Sequence, residues 1–203
     1  IFIYMVGDIA FVPIEVLMVT LIIHRVLSER EKRLMLKKMN MVIGAFFSEV
    51  GTELLKLLYD FDTRADTLRK YLIIDREWTK KDFSRTLQHL RSYDCGINSK
   101  ISNLDNLKKF LVAKRDFLLG LLENPNLLEH ESFSELLWAV FHLTEELICR
   151  DNFKELPESD GEHLSGDMKR AYVLLIVEWL EYMRHLQTDY PYLFSLLYRL
   201  TLQ

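Results

Sequence analysis

Cysteine is nearly absent from this chain, and so are the residues that punctuate a tight-turn architecture. Only Cys95 and Cys149 occur in 203 residues. Two cysteines make no disulfide scaffold, and their spacing matches no metal-ligand pattern, so the bulk of the chain reads as facing a reducing compartment. Seven Gly and four Pro are too few for an all-β fold built on many turns. Excess positive charge is missing as well. With 26 basic against 30 acidic side chains, the net charge is −4, which argues against a nucleic-acid partner. No GxxxxGK[ST] or GxGxxG is present to cradle a phosphate, and there is no CxxC, HExxH or GxSxG. The common kinase, dehydrogenase, zinc-protease and serine-hydrolase readings lose their basis.

What is present is unevenly spread. From Ile1 to Ile23 the charged residues are Asp8 and Glu15 alone. The next fifteen residues, His24 to Lys38, hold Arg25, Arg30, Lys32, Arg33, Lys37 and Lys38 against Glu29 and Glu31. An apolar run ending in a basic block predicts a membrane helix whose C-terminal end faces the cytoplasm. Ile9 to Leu27 as a helix measures about 28 Å, close to the roughly 30 Å hydrocarbon core. A signal peptide would carry its basic residues before the run and a small-residue cleavage site after it, and neither is found. The chain opens without Met inside an apolar run, which implies a further helix upstream. The expectation is residues 1–27 as a transmembrane segment and 28–203 as a cytoplasmic helical domain at the cell (inner) membrane. The basic block would meet lipid headgroups, at about 1 kcal/mol per Lys or Arg near the surface.

Asp8 and Glu15 are seven residues apart, two turns on nearly one face. An intramembrane carboxylate costs on the order of 3 kcal/mol near the bilayer centre, so the pair reads either as a polar seam facing a partner helix or conduction path, or as simple helix packing.

Beyond the basic block the periodicity is helical. Leu34, Met41, Phe46, Val50, Leu54, Leu57 and Leu58 recur at steps of three, four and seven, carrying the first helix to about Asp60. Gly44 and Gly51 share a face that allows close helix contact. Thr79 with Asp82 reads as a capping box for a helix ending near Tyr93. Ser102 with Asp105 starts a helix through Leu122, stopped at Asn124-Pro125, and Ser132 with Glu135 caps one from Phe133 to about Arg150. Residues 151–166 read as a polar connector. A further helix is expected from Asp167 to Thr188, then a short one over Tyr192–Leu202 after Pro191. The prediction is all-α.

Three sets of side chains at helical spacing carry a possible chemistry. Glu49 and Glu53 share one face, His142 is followed by Glu145 and Glu146, and Glu178, Glu181 and His185 are three and four apart. Carboxylates and imidazoles facing each other between helices hold metals in bundle proteins, where the pattern is Glu-x-x-His. Here the orders are His-x-x-Glu and Glu-x-x-x-His. A transition metal held by Glu49, Glu53, His142, Glu146, Glu181 and His185 is one expectation. Solvated glutamates paired with Lys and Arg, needing no cofactor, is the other. The acidic segment around Glu123, Glu129, His130, Glu131 and Glu135 reads as a solvated connector.

The stretches DIAFVPIEVLMVTLIIHRVLSEREK, GAFFSEVGTELL, NPNLLEHESFSELLWAVFHLTEEL and YPYLFSLLYRL resemble a family of uncharacterised prokaryotic membrane proteins. The resemblance implies N-terminal transmembrane helices, one of them upstream of this chain, and an all-helical cytoplasmic domain. It implies topology and no chemistry. The leading expectation is therefore a non-enzymatic membrane protein whose helical domain binds a partner membrane protein or forms a homo-oligomer. An ion-handling oligomer using Asp8 and Glu15, and a metal-dependent helical-bundle enzyme, stand as alternatives.

Overall fold

The computed structural model describes residues 2–201 apart from 75, 76, 101, 126, 128, 129, 154 and 155; for 2–13, 33 and 198–201 it describes the backbone alone. The chain is all-α. In order, the elements are α1 (Phe2–Phe46), a π-helical turn (Phe47–Gly51), α2 (Thr52–Tyr59), α3 (Ala65–Leu72), α4 (Lys80–Arg91), α5 (Leu104–Leu122), α6 (Glu131–Ile148), α7 (Glu158–Asp189) and α8 (Pro191–Thr201). Two compact units divide the chain, residues 1–41 and 42–203.

In the first unit the stretch Ile14–Leu27 of α1 carries its apolar side chains in the open. Ile14, Val16, Leu17, Met18, Val19, Leu21, Ile22, Ile23, Val26 and Leu27 are all at least half exposed. Among the described residues no helix is long and apolar enough to cross a membrane. The span expected over Ile9–Leu27 begins among residues whose side chains lie outside the described set.

The second unit is a helical bundle in which α7 packs on α6, α4, α2 and α8, and α5 packs on α6. Its core is built from helix stripes. On α6, Leu136, Val140, Leu143 and Leu147 are fully buried; on α7, Leu164, Met168, Ala171, Leu175 and Leu180 are. Such spacings of three and four build one apolar face per helix, and each fully buried Leu or Met stabilises the fold by about 1.5–3 kcal/mol. α6 and α7 run antiparallel, because Ser132 bonds Glu178 near one end while His142 meets Asp167 nearer their connection.

The continuous helix expected up to Asp60 is there, with one interruption. The extra residue of the π turn (Phe47–Gly51) lets Phe46 and Phe47 both turn inward, edge to face at 5.3 Å. Gly51 makes this possible, since a Cβ there would collide with the Phe47 ring. Thr52 Oγ1 donates to the Phe47 carbonyl at 2.8 Å, giving that carbonyl a partner where the helix widens. Gly44 instead lies against the Tyr182 side chain, whose hydroxyl would sit 3.1 Å from an added Cβ.

The Thr79–Asp82 capping box is present in both directions. Two other caps differ from expectation. α5 is capped by Asn103, whose side chain accepts from Asp105 and Asn106 amides, instead of by Ser102. α6 starts at Glu131 with the His130 imidazole accepting from Phe133 N, displacing Ser132 from the cap. α3 was not anticipated at all. It is short and mostly solvent-facing, burying only Ala65 and Leu68.

The largest departure is α7, which starts at Glu158 and not at Asp167. Much of the expected polar connector 151–166 is helix. Pro157 precedes it with φ −52° and Glu158 and Asp160 occupy its first turn, which suits the positive N-terminal end of the helix dipole.

Candidate metal centre

Extending α7 backwards by nine residues brings His163 onto it, four residues before Asp167 and thus on the same face. Both lie one position before members of the buried stripe, Leu164 and Met168, so they flank the apolar seam of α7. On α6, His142 and Glu146 stand in the same relation to Leu143 and Leu147. Two pairs spaced i, i+4 therefore border the seam where these antiparallel helices pack.

The side chains meet there. His163 Nε2 lies 3.3 Å from Asp167 Oδ2, and His142 Nε2 lies 3.6 Å from the same oxygen. One ligand atom from each of the three falls within 4.8 Å of the others. The Asp167 side chain is 17% exposed against 53% and 59% for the two imidazoles. Asp167 Oδ2 is itself buried and accepts no hydrogen bond. Among the described residues no other group of three His, Cys, Asp or Glu is placed to hold an ion. Glu146 is paired with Arg150; that guanidinium holds its carboxyl below the usual range, with His142 and His163 adding to the effect.

The six residues expected to share a metal do not gather. Glu49 pairs with Lys114 at 3.0 Å, Glu53 with Lys56 at 3.7 Å, Glu146 with Arg150, Glu181 with Arg184 and His185 with Asp189 at 2.8 Å. Glu145 bonds Arg115 at 2.7 Å. Of the six, only His142 belongs to the observed cluster. Helical spacing placed residues correctly along each helix but did not say which faces meet. His163 was missed because the polar composition of 151–166 reads as a loop, and in a loop the spacing to Asp167 carries no meaning.

Arg25, Arg30, Lys32, Lys37 and Lys38 are exposed along α1, with Arg25 3.7 Å from Glu29. The side chains of Asp8 and Arg33 are outside the described set, and so is Glu129; Glu15 is exposed.

A second polar group lies at the start of α6. Glu178 is 3% exposed and accepts from Ser132; burial pushes its carboxyl up, while Ser132 and His130 oppose this. Ser132 Oγ is 3.3 Å from His130 Nδ1. A nucleophilic triad needs the acid on the imidazole and the imidazole free to take the serine proton. Here the acid bonds the serine, and His130 Nδ1 caps a helix. The arrangement secures a helix start and lacks the order of a catalytic triad.

Residues 35–199 match the family described as Uncharacterized protein MJ1433, C-terminal helical domain, and residues 1–27 match its N-terminal helical domain. The chain belongs to this family. It is 50% identical over 196 residues to Uncharacterized protein MJ1433 of Methanocaldococcus jannaschii, covering 97% of this chain and 78% of the relative. No solved structure matches the chain.

Proposed function

We propose that this chain is a membrane-associated helical protein whose second unit, on the cytoplasmic side, assembles with a second copy or with a partner membrane protein. One observation supports it above the rest: ten large apolar residues between Ile14 and Leu27, pointing in every direction around α1, are exposed. A helix apolar on all sides is at home in lipid or in a protein interior, and a contiguous exposed apolar surface of this kind marks a binding or membrane face. The exposed bases from Arg25 to Lys38 follow it directly, where anionic headgroups would lie. The described part, Ile14–Leu27, is about 21 Å of helix; in the sequence Ile9–Pro13 extends it toward the roughly 30 Å of the hydrocarbon core. Exposed Tyr192 on α8 and Trp138 on α6 are residue types enriched in protein interfaces, and Leu193 and Leu196 add exposed apolar surface on α8.

The test is fractionation of expressing cells with a carbonate wash, comparing the full chain with one lacking residues 1–27. The full chain is expected in the washed membrane fraction and the truncated one in the supernatant. Equal distribution of the two would defeat the proposal. Orientation is read from Cys149, which is exposed, while Cys95 is buried: an impermeant maleimide should label inverted vesicles and spare intact cells.

A further inference from the structure

We propose that His142, His163 and Asp167 form a binding site for one divalent first-row transition ion, of the zinc class, with a coordination position left to water. The reading is independent of membrane association. Three observations carry it. First, the two donor separations measured from Asp167 are close to those an ion requires. Bonds of about 2.0–2.1 Å to a tetrahedral ion set its ligand atoms about 3.3–3.4 Å apart; the observed separations from Asp167 Oδ2 are 3.3 Å to His163 Nε2 and 3.6 Å to His142 Nε2. Second, Asp167 Oδ2 is buried without a hydrogen bond. A buried carboxylate oxygen without a hydrogen bond is costly to leave so, and an ion between it and the two imidazoles would remove that cost. Third, the donors are two imidazoles and a carboxylate, the set that suits zinc, iron, cobalt or nickel and not calcium or magnesium.

The site is built on secondary structure. His163 and Asp167 are fixed by one helix and His142 by its neighbour, and packed stripes set the two helices against each other. Both imidazoles are more than half exposed, so an ion has direct access from solvent and would keep water in its remaining positions. Three protein ligands with an open position is the arrangement of catalytic rather than structural zinc sites.

The experiment uses the full, tag-free chain in detergent after chelator treatment, titrated with Zn²⁺ against a chromophoric competitor and with Co²⁺ by visible absorption. The expected result is one ion per chain, with Co²⁺ giving d–d bands of a low-coordinate nitrogen and oxygen site. His142→Ala, His163→Ala and Asp167→Asn should each weaken binding at least about tenfold, the scale already seen for outer-sphere partners, and His185→Ala should leave it unchanged. Circular dichroism reports whether each variant folds. No saturable binding by the parent chain, undiminished binding by folded His163→Ala and Asp167→Asn, or loss in His185→Ala would overturn the site, leaving a His–Asp–His ion-pair cluster only. The parent Co²⁺ spectrum needs no variant, so it decides even where a substitution unfolds the chain.

Discussion

Asp62 and Gly96 are 34 positions apart in sequence, and the Asp62 carboxylate accepts the Gly96 amide at 2.8 Å. The same oxygen accepts from Arg64 N at 3.0 Å, and Thr63 bonds the Gly96 carbonyl through both its amide and its hydroxyl. A β-bridge joins Asp62 to Ile97. The loop after α4 is thereby laced to the start of α3, with Asp94 reaching Arg64 and Lys169 beside it. Removing this carboxylate leaves two backbone amides without their acceptor. Asp62→Ala is expected to lower stability by at least about 2 kcal/mol, from about 1–3 kcal/mol for each of the two stranded donors. Gly96→Ala should cost about 1–3 kcal/mol, because a Cβ would collide with Thr63 Oγ1 and crowd Arg64. Urea unfolding measures both, and a loss under 0.5 kcal/mol in either would show that the lacing is not a stability element.

Glu178 is the buried carboxylate whose titration should reach the whole fold. Its folded pKa is raised by burial. A raised acid stabilises the fold below its unfolded value, near 4.5, and that contribution disappears as pH climbs through the folded value. Glu178→Gln, which keeps an acceptor for Ser132 without a charge, is expected to raise Tm at pH 8 and to change it little at pH 4. A Tm unchanged at pH 8 would mean that the ionised carboxylate is tolerated where it sits.

The two thiols should separate cleanly. Cys149 is exposed and Cys95 buried, and burial together with Asp62 pushes the Cys95 thiol up to about 11. Thiolate is the reactive form, so a disulfide reagent at pH 8 should titrate one thiol in the folded chain and two in denaturant. Two fast thiols in the folded chain would contradict the burial of Cys95.

Glu49 and Glu53 serve in exposed ion pairs, which contribute about 0–1 kcal/mol each. Substituting either by Gln should move Tm by no more than about a degree or two and leave Zn²⁺ affinity unchanged, in contrast to Asp167→Asn. Weakened Zn²⁺ binding by Glu49→Gln would restore the metal set suggested by helical spacing.

The all-helical character, the Thr79–Asp82 cap and the stop near Asn124-Pro125 were legible in the sequence, because each depends on neighbours within a few positions: apolar spacing, a side chain reaching its own backbone, a ring that bars the helical conformation. The contrast between Ile1–Ile23 and Arg25–Lys38 was equally local. What the chain could not announce was decided by packing. Residues 158–166 are polar enough to read as a loop, yet they are helical where Leu164 extends the buried stripe of Met168 and Ala171, Gly161 is buried as well, and Ser99 bonds the Gly161 carbonyl and the Ser165 hydroxyl. Once they are helical, His163 comes into line with Asp167, and the antiparallel set of α6 on α7 supplies His142 from 21 and 25 positions away. Spacing assigns a residue to a face of its helix. Only the burial of apolar stripes between helices chooses which faces meet, and with them which imidazoles share a carboxylate.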